Sequence, residues 1–524
     1  MKKYILIFTT ALLFLNLSFS NDALFNKLYG VSSKQIKIDN FIEPVDHSFK
    51  SQQMKDAFDD LFPDHVYAKT KLINDNMQAW YTRWYLLSRA KKTFDCTAFV
   101  FKNDIFGKSF LGLLLKKAQE GVKIRLMLSS RGSKKFLKDP EIQAMFQELL
   151  KTENIIIKQH NPLKVALKNR PKLYKIVQFI RNLMAGNHDK IFIVDGHFVV
   201  GGGRNIGKDY MSDVRDNKTA RKDTDFVLDS SKIAKQMKIA FDEEFIDLRS
   251  RDVKIKSNLD VKNILLKMNL NRKIMKRWID GLGLYPAKSE NQEIIKIVNL
   301  LNDEIKKFSL MTNYQSYSLF SGERLIPAMV IDKHSAAKGT KNDITPNLIA
   351  MINACEKEII IQNQYLVLTK EARKALQAAN DRGVKIYILT NSPASGANSI
   401  DSLATQAIFL REWRELITSM PNLKLYGVEA NYYYLHTKVF VFDQVVTAIG
   451  SYNMDYVSDK TDSEIITVFK SKSFAIRNRF KFQEELKHAV RYTQDVTPES
   501  HATKKRIKKL KWLGKIFKYL RPLI

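Results

Sequence analysis

The chain has 524 residues, 45% of them hydrophobic and 27% charged, which excludes a wholly disordered protein. Only two cysteines are present, Cys96 and Cys355, so a disulfide-stapled scaffold and a cysteine-only metal site are excluded too. The 86 Lys and Arg against 55 Asp and Glu give a formal charge of +31, which suits a polyanionic partner, either nucleic acid or an anionic membrane surface.

At the N-terminus, Lys2 and Lys3 precede a short apolar run over residues 4–15. Ser18-Phe19-Ser20 then offers a small-x-small cleavage pattern. The run is shorter than the roughly 20 residues of a membrane span. Residues 1–20 are therefore expected to be a cleaved export signal. The mature protein is then periplasmic or secreted, and soluble or peripheral to a membrane. Residues 21–70 read as an N-terminal extension. Whether Cys96 and Cys355 pair in an oxidising compartment cannot be read from sequence.

Beyond residue 70 the chain repeats itself. Thr97-Ala98-Phe99-Val100-Phe101 is a strand-like run, and Leu114 opens LLKKAQEGVKIRL, an amphipathic helix, a glycine C-cap at Gly121 and a buried-type strand. The same order recurs at Ile359-Ile360-Ile361-Gln362 and in ALQAANDRGVKIYIL from Ala375, with Gly383 as the cap. Strand, helix, strand predicts a βαβ unit with parallel pairing. The distance between copies is too long for a solenoid period and suits duplication of a whole α/β domain. The expected domains are residues 71–250 and 296–495. A connection over 251–295 is rich in Lys, Arg and Asn, with Gly281-Leu282-Gly283 and Pro286. Residues 496–524 form a basic tail.

Each copy carries one sharper motif. His188-Asp189-Lys190 leads through Asp195 to Gly202-Gly203-Arg204-Asn205, and His436-Thr437-Lys438 leads through Asp443 to Gly450-Ser451-Tyr452-Asn453. Both spell H-x-K-x4-D-x6-G-[GS]-x-N. One copy would be weak evidence; two at matching places in a repeat are strong. On an extended strand His and Lys at i and i+2 share a face, while the apolar residues of 191–194 and 439–442 pack into a core. Imidazole, ammonium and carboxamide together suit a phosphodiester. Lysine and asparagine donate to its non-bridging oxygens, a neutral histidine attacks phosphorus, and a protonated one serves the leaving oxygen. One motif supplies one histidine, so two motifs related by a pseudo-twofold supply both. Each histidine also needs a carboxylate on its other ring nitrogen. The candidates are Glu464, after Asn453, and Asp225, after Asn205; both precede strand-like runs. Gly203 and Ser451 are candidate substrate-binding positions. A His/Asp metal site is the weaker chemistry, because transition metals need three or more converging ligands and Lys is not a usual one.

This pattern resembles the phospholipase D superfamily and its HKD motif, over most of the chain. Gly202-Gly203-Arg204-Asn205-Ile206-Gly207, Asp209-Tyr210 and the Leu389-Thr390-Asn391-Ser392-Pro393-Ala394-Ser395 loop are similar to the bacterial cardiolipin synthase branch. The resemblance implies two duplicated α/β/α sandwich domains related by a pseudo-twofold, with the active site at their interface. It implies a phosphohistidine intermediate and no metal or other cofactor. It assigns His188 and His436 as nucleophile and general acid, in an order left open. Lys190, Lys438, Asn205 and Asn453 become phosphate ligands, and Asp195 and Asp443 structural residues. With both motifs in one chain, a monomer is expected. One departure stands after the second motif: Met454-Asp455-Tyr456-Val457-Ser458 replaces the branch's Leu-Asp-x-Arg-Ser.

In the tail, Leu510, Leu513, Phe517 and Leu520 step at helical spacing, and Lys508, Lys511, Lys515 and Lys518 do so on another side. Trp512 and Tyr519 lie near the boundary. This composition fits an interfacial anchor, and equally a helix packed on the domain with a solvated lysine face. A second apolar-basic stretch over 173–184 fits a lid, a membrane-docking face or a core helix. The expected activity is a phosphatidyl transferase or phosphodiesterase on phospholipids at an anionic membrane. The alternative is a secreted metal-independent nuclease, with nucleic acid as partner only in that case. No aromatic–basic stacking platform supports the nuclease.

Overall fold

The computed structural model describes residues 42–161, 185–256, 262–311, 318–335, 341–395, 400–429 and 432–517. The expected export signal (1–20), the stretch 173–184 and the end of the tail (518–524) lie outside the described residues.

Apolar runs that are buried on both faces build one continuous sheet. Its first half holds β1 (Val66–Ile73), β2 (Thr93–Ala98), β3 (Lys123–Ser129), β4 (Ile155–His160), β5 (Ile191–Val194), β6 (Phe198–Gly202), β8 (Asp225–Asp229) and β9 (Ser250–Asp252), with β7 (Arg221–Lys222) outside it. The second half holds β10 (Leu325–Lys333), β11 (Glu358–Asn363), β12 (Lys385–Asn391), β13 (Leu423–Val428), β15 (Lys438–Phe442), β16 (Val446–Gly450), β17 (Glu464–Lys470) and β18 (Ala489–Arg491), with β14 (Tyr434–Leu435) outside it. The spatial order is β9-β4-β3-β2-β5-β6-β8-β1 followed by β10-β17-β16-β15-β11-β12-β13-β18. Counted outward from the antiparallel β1–β10 seam, the two halves are the same sequence of strands. The duplication is therefore a pseudo-twofold through that seam. Within each half β2–β3–β4 and β11–β12–β13 are parallel, as the βαβ reading requires.

Strand alternation explains the layers. Phe192 and Val194 of β5 enter a core with helices of the first half, while Ile191 and Ile193 enter a core on the other face. In β15, Phe440 and Phe442 face the second half's own helices, and Val439 and Val441 join Ile191 and Ile193 in the shared core. Helices Ser231–Phe245 and Lys472–Glu485 close that shared face through Phe241, Phe245, Phe474 and Phe482.

The structure differs from the expected boundaries in two places, and in the tail it follows the second of the two readings given for that helix. β1 starts at Val66, before residue 71, and the helix Gln52–Leu61 of the supposed extension packs Met54 and Phe58 into the second half's core. The supposed connection 251–295 contains the helix Ile264–Ile279, whose Ile264, Met268, Met275 and Trp278 belong to the first half's core. Its abundant Lys, Arg and Asn are mostly on the outer face of that helix, which is why composition alone read as a linker. In the tail, the helix Lys504–Phe517 buries Ile507, Leu510, Leu513 and Phe517 against Leu403, Ala407 and Ile408 of the helix Ile400–Ser419. Its apolar stripe is covered by protein, and its exposed face carries Lys508, Lys511, Trp512 and Lys515. Among the described residues no helix is long and apolar enough to cross a membrane. Cys96 and Cys355 are buried, free thiols.

Candidate active site

Two short parallel pairings bring the motifs together. β14, just before His436, pairs with β7, just before Asp223: Tyr434 lies opposite Arg221 and Leu435 opposite Lys222. In the other direction Asn187, just before His188, forms a bridge with Ser463, just before Glu464. His436 N donates to Lys222 O at 2.7 Å and His188 N to Ser463 O at 3.2 Å. Backbone pairing thus delivers each histidine to a carboxylate of the opposite half.

The side chains complete that exchange. His188 Nδ1 lies 2.9 and 3.0 Å from the two oxygens of Glu464, and His436 Nδ1 lies 2.6 Å from Asp223 Oδ2. All four groups are buried. Asp225, the expected partner, is not at a histidine; it is paired with Arg83 at 2.8 Å and Arg204 at 3.2 Å. Strand register explains the correction. Gly202 pairs with Asp225, whereas its equivalent Gly450 pairs with Ile466, so Asp225 corresponds to Ile466 and Asp223 to Glu464. A slip of two residues keeps a side chain on the same strand face, so alternation could not separate the two aspartates. Aligning Phe226-Val227-Leu228 with Thr467-Val468-Phe469 would have found Asp223.

The carboxylates are held differently. Glu464 accepts from Ser458 Oγ at 2.6 Å and from Ser451 Oγ, while Asp223 accepts from Thr224 N at 2.9 Å. Gly203 stands where the second half has Ser451. A Cβ there would lie 2.3 Å from Asp223 Oδ1, so only glycine leaves room for the Asp223 carboxylate. Gly203 and Ser451 thus support the orienting carboxylates.

The residues expected to hold the phosphate are buried beside the histidines. Lys190 Nζ donates to His188 O at 2.5 Å; Lys438 Nζ donates to His436 O and, at 3.0 Å, to Gln364 Oε1. Each ammonium keeps donor capacity beyond these bonds. Asn205 Oδ1 accepts from Val100 N at 2.8 Å, which leaves its buried Nδ2 with no protein acceptor. Asn453 is likewise buried, with Oδ1 unpartnered. An unsatisfied buried donor such as Asn205 Nδ2 suits a ligand rich in oxygen, whereas the Asn453 oxygen, an acceptor, calls for a donor. Phe99 stands edge-on to the His188 ring at 4.7 Å, and Tyr210 to the His436 ring at 5.3 Å.

Burial dominates the electrostatics. It pushes the Glu464 and Asp223 carboxyls up to about 7, against the pull of Lys190 and Lys438 respectively. It lowers Lys190 to about 8 and Lys438 to about 7. It also holds His436 well below the usual histidine range, with Lys438 and Arg221 adding to the effect. Burial therefore favours the neutral forms of these groups.

Asp195 and Asp443 stand at the far ends of the motif strands. Asp195 accepts from the amides of Lys91, Lys92 and Thr93, and Asp443 from those of Glu356, Lys357 and Glu358. Each sits in a left-handed turn, at φ 54° and 48°, and ties the start of β2 or β11 to the hairpin. Ligand atoms of His188, Asp462 and Glu464 lie within 4.8 Å of one another. Two cations already serve that group: Arg131 is 3.3 Å from Asp462, and Lys333 Nζ donates to the Asp462 carbonyl.

Residues 85–245 and 348–486 match the family model described as "Cardiolipin synthase, PLD-like domain". An uncharacterised protein of Helicobacter pylori strain 26695 is 26% identical over 511 residues, covering 93% of this chain and 92% of that protein. Cardiolipin synthase C of Escherichia coli K12 is 24% identical, over 77% of this chain and 81% of its own. The probable cardiolipin synthase YwiE of Bacillus subtilis is 22% identical, over 75% of this chain and 60% of its own. The crystal structure of phosphatidylserine synthase from Haemophilus influenzae has the same fold, with TM-score 0.60 at 12% identity, covering 90% of this chain and all of that one.

Proposed function

Because the chain belongs to the PLD-like domain family of the cardiolipin synthases, we propose that it transfers phosphatidyl groups between hydroxyl acceptors, through a phosphohistidine, on membrane glycerophospholipids. The observation that carries the reading is the pair of buried histidines, each bonded at Nδ1 by a carboxylate from the other half. With Nδ1 engaged, Nε2 is the nitrogen that works. One neutral imidazole attacks phosphorus, a P–N bond forms and the bond to the headgroup oxygen breaks. The other histidine, protonated, gives that oxygen its proton. The acceptor hydroxyl then returns a proton to the same imidazole and attacks phosphorus, and the P–N bond breaks. A lipid hydroxyl as acceptor yields a new phosphodiester; water yields phosphatidic acid. Lys190, Lys438, Asn205 and Asn453 stabilise the charge that builds on the non-bridging oxygens.

The substrate lies in a bilayer, and the tail helix supports work there. Its exposed lysines Lys508, Lys511 and Lys515 with Trp512 form a basic, aromatic face suited to anionic headgroups. Residues 1–20 support an exported, peripheral location.

The test uses purified protein lacking residues 1–20, liposomes of phosphatidylglycerol and phosphatidylethanolamine, and a metal chelator. Lipid products are identified by mass spectrometry beside a His188→Ala, His436→Ala double variant and a DNA substrate. Cardiolipin that depends on the histidines supports transfer, and phosphatidic acid alone makes the protein a hydrolase. Chelator-resistant DNA cleavage without lipid turnover overturns the lipid reading.

A further inference from the structure

The pseudo-twofold is broken two residues before each orienting carboxylate. Before Glu464 stands Asp462, whose carboxylate is balanced by Arg131 at 3.3 Å. The equivalent residue before Asp223 is Arg221, so an acid on one flank of the site is replaced by a cation on the other. The neighbours change to match: Tyr434 lies opposite Arg221, and Gly186 occupies Tyr434's place on the other flank.

Arg221 is held without being neutralised. Its backbone is fixed in the β7–β14 pairing, and its carbonyl accepts from Asn76 Nδ2 at 2.9 Å. Its guanidinium lies over two rings, 5.2 Å from the centre of Tyr210 and 4.8 Å from that of Tyr434. Among the described residues the guanidinium has no carboxylate partner and no hydrogen-bond acceptor, although neighbouring Lys222 is paired with Glu485. Ring faces stabilise the charge but satisfy none of its five N–H donors. The residue is partly exposed, so a ligand can reach it.

The cation is also close to the chemistry. The Tyr210 ring that it faces stands 5.3 Å from the His436 ring, so the guanidinium lies no farther from the imidazole than the sum of these two distances. A phosphate already has its ligands in the motif lysines and asparagines, so this fork is spare. Guanidinium geometry matches the paired oxygens of a phosphate or carboxylate.

We infer that Arg221, cradled by Tyr210 and Tyr434, anchors a second anion subsite that takes the phosphate of a phosphate-bearing lipid acceptor, such as the phosphodiester of phosphatidylglycerol. The inference deepens the proposed transfer reaction and rests on it. It makes Arg221 a specificity-determining residue that selects an anionic acceptor over an uncharged one.

The experiment compares the wild type with Arg221→Gln and Arg221→Lys, after melting curves show that each is folded. Donor phosphatidylglycerol is offered in mixed micelles, with either itself or ethanol as acceptor, and products are counted by mass spectrometry. Arg221→Gln is expected to lose about tenfold or more in transfer to phosphatidylglycerol, mainly as a raised acceptor KM, the cost of one charge-assisted contact. Transfer to ethanol carries only the change that losing this charge makes at His436, which both acceptors share, so the ratio of the two transfer rates is the readout, and Arg221→Lys retains part of the preference. Equal losses with both acceptors, or no loss with either, overturn the inference. If the wild type turns over no lipid, the functional reading fails by itself, and binding then decides the subsite. Isothermal titration with dihexanoyl-phosphatidylglycerol and dihexanoyl-phosphatidylcholine supports it if Arg221→Gln weakens only the anionic lipid. It is overturned if the variant binds both as the wild type does.

Discussion

Asp223 and Asp225 are two residues apart on one edge of the site, and the structure gives them opposite duties. Asp223→Asn removes the carboxylate that holds His436 Nδ1 at 2.6 Å. A hydrogen bond to a charged group contributes about 2 kcal/mol, which alone corresponds to roughly 30-fold in kcat if it is made only when the imidazole is charged. An amide at this place also selects the wrong ring tautomer, a defect worth up to about 10⁴-fold where a carboxylate orients a catalytic histidine. Fold stability should not fall, because burial already pushes the Asp223 carboxyl up to about 7 and its charge is costly there. Asp225→Asn does the reverse. It leaves the buried Arg83 and Arg204 guanidiniums undercompensated, at a cost of about 3 kcal/mol in stability, while the His436–Asp223 bond remains. The assay is kcat on short-chain phosphatidylglycerol together with thermal melting of both variants. The reasoning is refuted if folded Asp225→Asn loses as much kcat as Asp223→Asn, or if Asp223→Asn keeps activity within about threefold of the wild type.

Four further outcomes follow from the structure. Glu464 and Asp223, raised to about 7, must be charged to support an imidazolium, and Lys190 and Lys438, lowered to about 8 and 7, must be charged to bind phosphate. kcat/KM should therefore trace a narrow bell around neutrality, falling in acid as the carboxylates protonate and in alkali as the lysines lose protons; a flat profile from about pH 5 to 9 contradicts this. Stability carries the opposite sign. The folded state holds the carboxyl protons more tightly, so stability falls as pH rises from about 4 to 7. The unfolded state holds the lysine protons more tightly, so it recovers from about 7 to 10; inorganic phosphate should relieve the minimum in a melting scan. Gly203→Ser should cut kcat at least about tenfold, because its Cβ meets Asp223 Oδ1 at 2.3 Å, whereas Ser451→Gly removes one hydroxyl donor to Glu464 and should cost only severalfold, both measured on the same lipid. Replacing Lys508, Lys511 and Lys515 together by Gln should weaken sedimentation with anionic vesicles by roughly 10²-fold, at about 1 kcal/mol per lysine, and leave turnover of soluble short-chain lipid unchanged.

Much of the fold was legible because a duplicated sequence states its pattern twice. The βαβ order, the caps at Gly121 and Gly383, and the burial of 191–194 and 439–442 follow from local periodicity, although the first strand lies at Thr93–Ala98 and not over Thr97 to Phe101. Residues whose fate depends on a distant partner were not legible. Asp223 and Asp225 share a strand face, and only the pairing of β6 with β8 separates them. Ile264, Met268, Met275 and Trp278 keep a helical stripe inside a Lys- and Asn-rich segment, and composition averaged that stripe away. Phe99 and Gln364 stand in bends just past the ends of β2 and β11, and nothing local signals an imidazole or ammonium beside them. The tail's stripe was plain in sequence, but the helix that covers it is about a hundred residues earlier in the chain.

The exchange of carboxylates explains why the duplication is kept as one body. Neither half owns a complete histidine–carboxylate pair: His188 depends on Glu464, and His436 on Asp223. The seam through β1 and β10 and the β7–β14 pairing therefore maintain the chemistry as well as the fold. A perfectly symmetric exchange would give both histidines one environment, yet the proposed reaction needs one imidazole neutral and the other protonated at the same moment. The chain departs from symmetry at positions that touch these groups and keeps the motif positions themselves fixed. Phe99 and Gln364 are equivalent by register, two residues past Thr97 and Gln362, which pair with Ile191 and Val439. Phe99 offers Lys190 a ring face at 5.5 Å, and Gln364 offers Lys438 a carbonyl oxygen at 3.0 Å. Ser451 gives Glu464 a donor where Gly203 gives Asp223 only room, and Asp462 stands where the other flank has Arg221. Each difference shifts charge or hydrogen bonding at one histidine and not at the other. A shared frame with unequal flanks is what the two roles of the proposed reaction require from two copies of one motif.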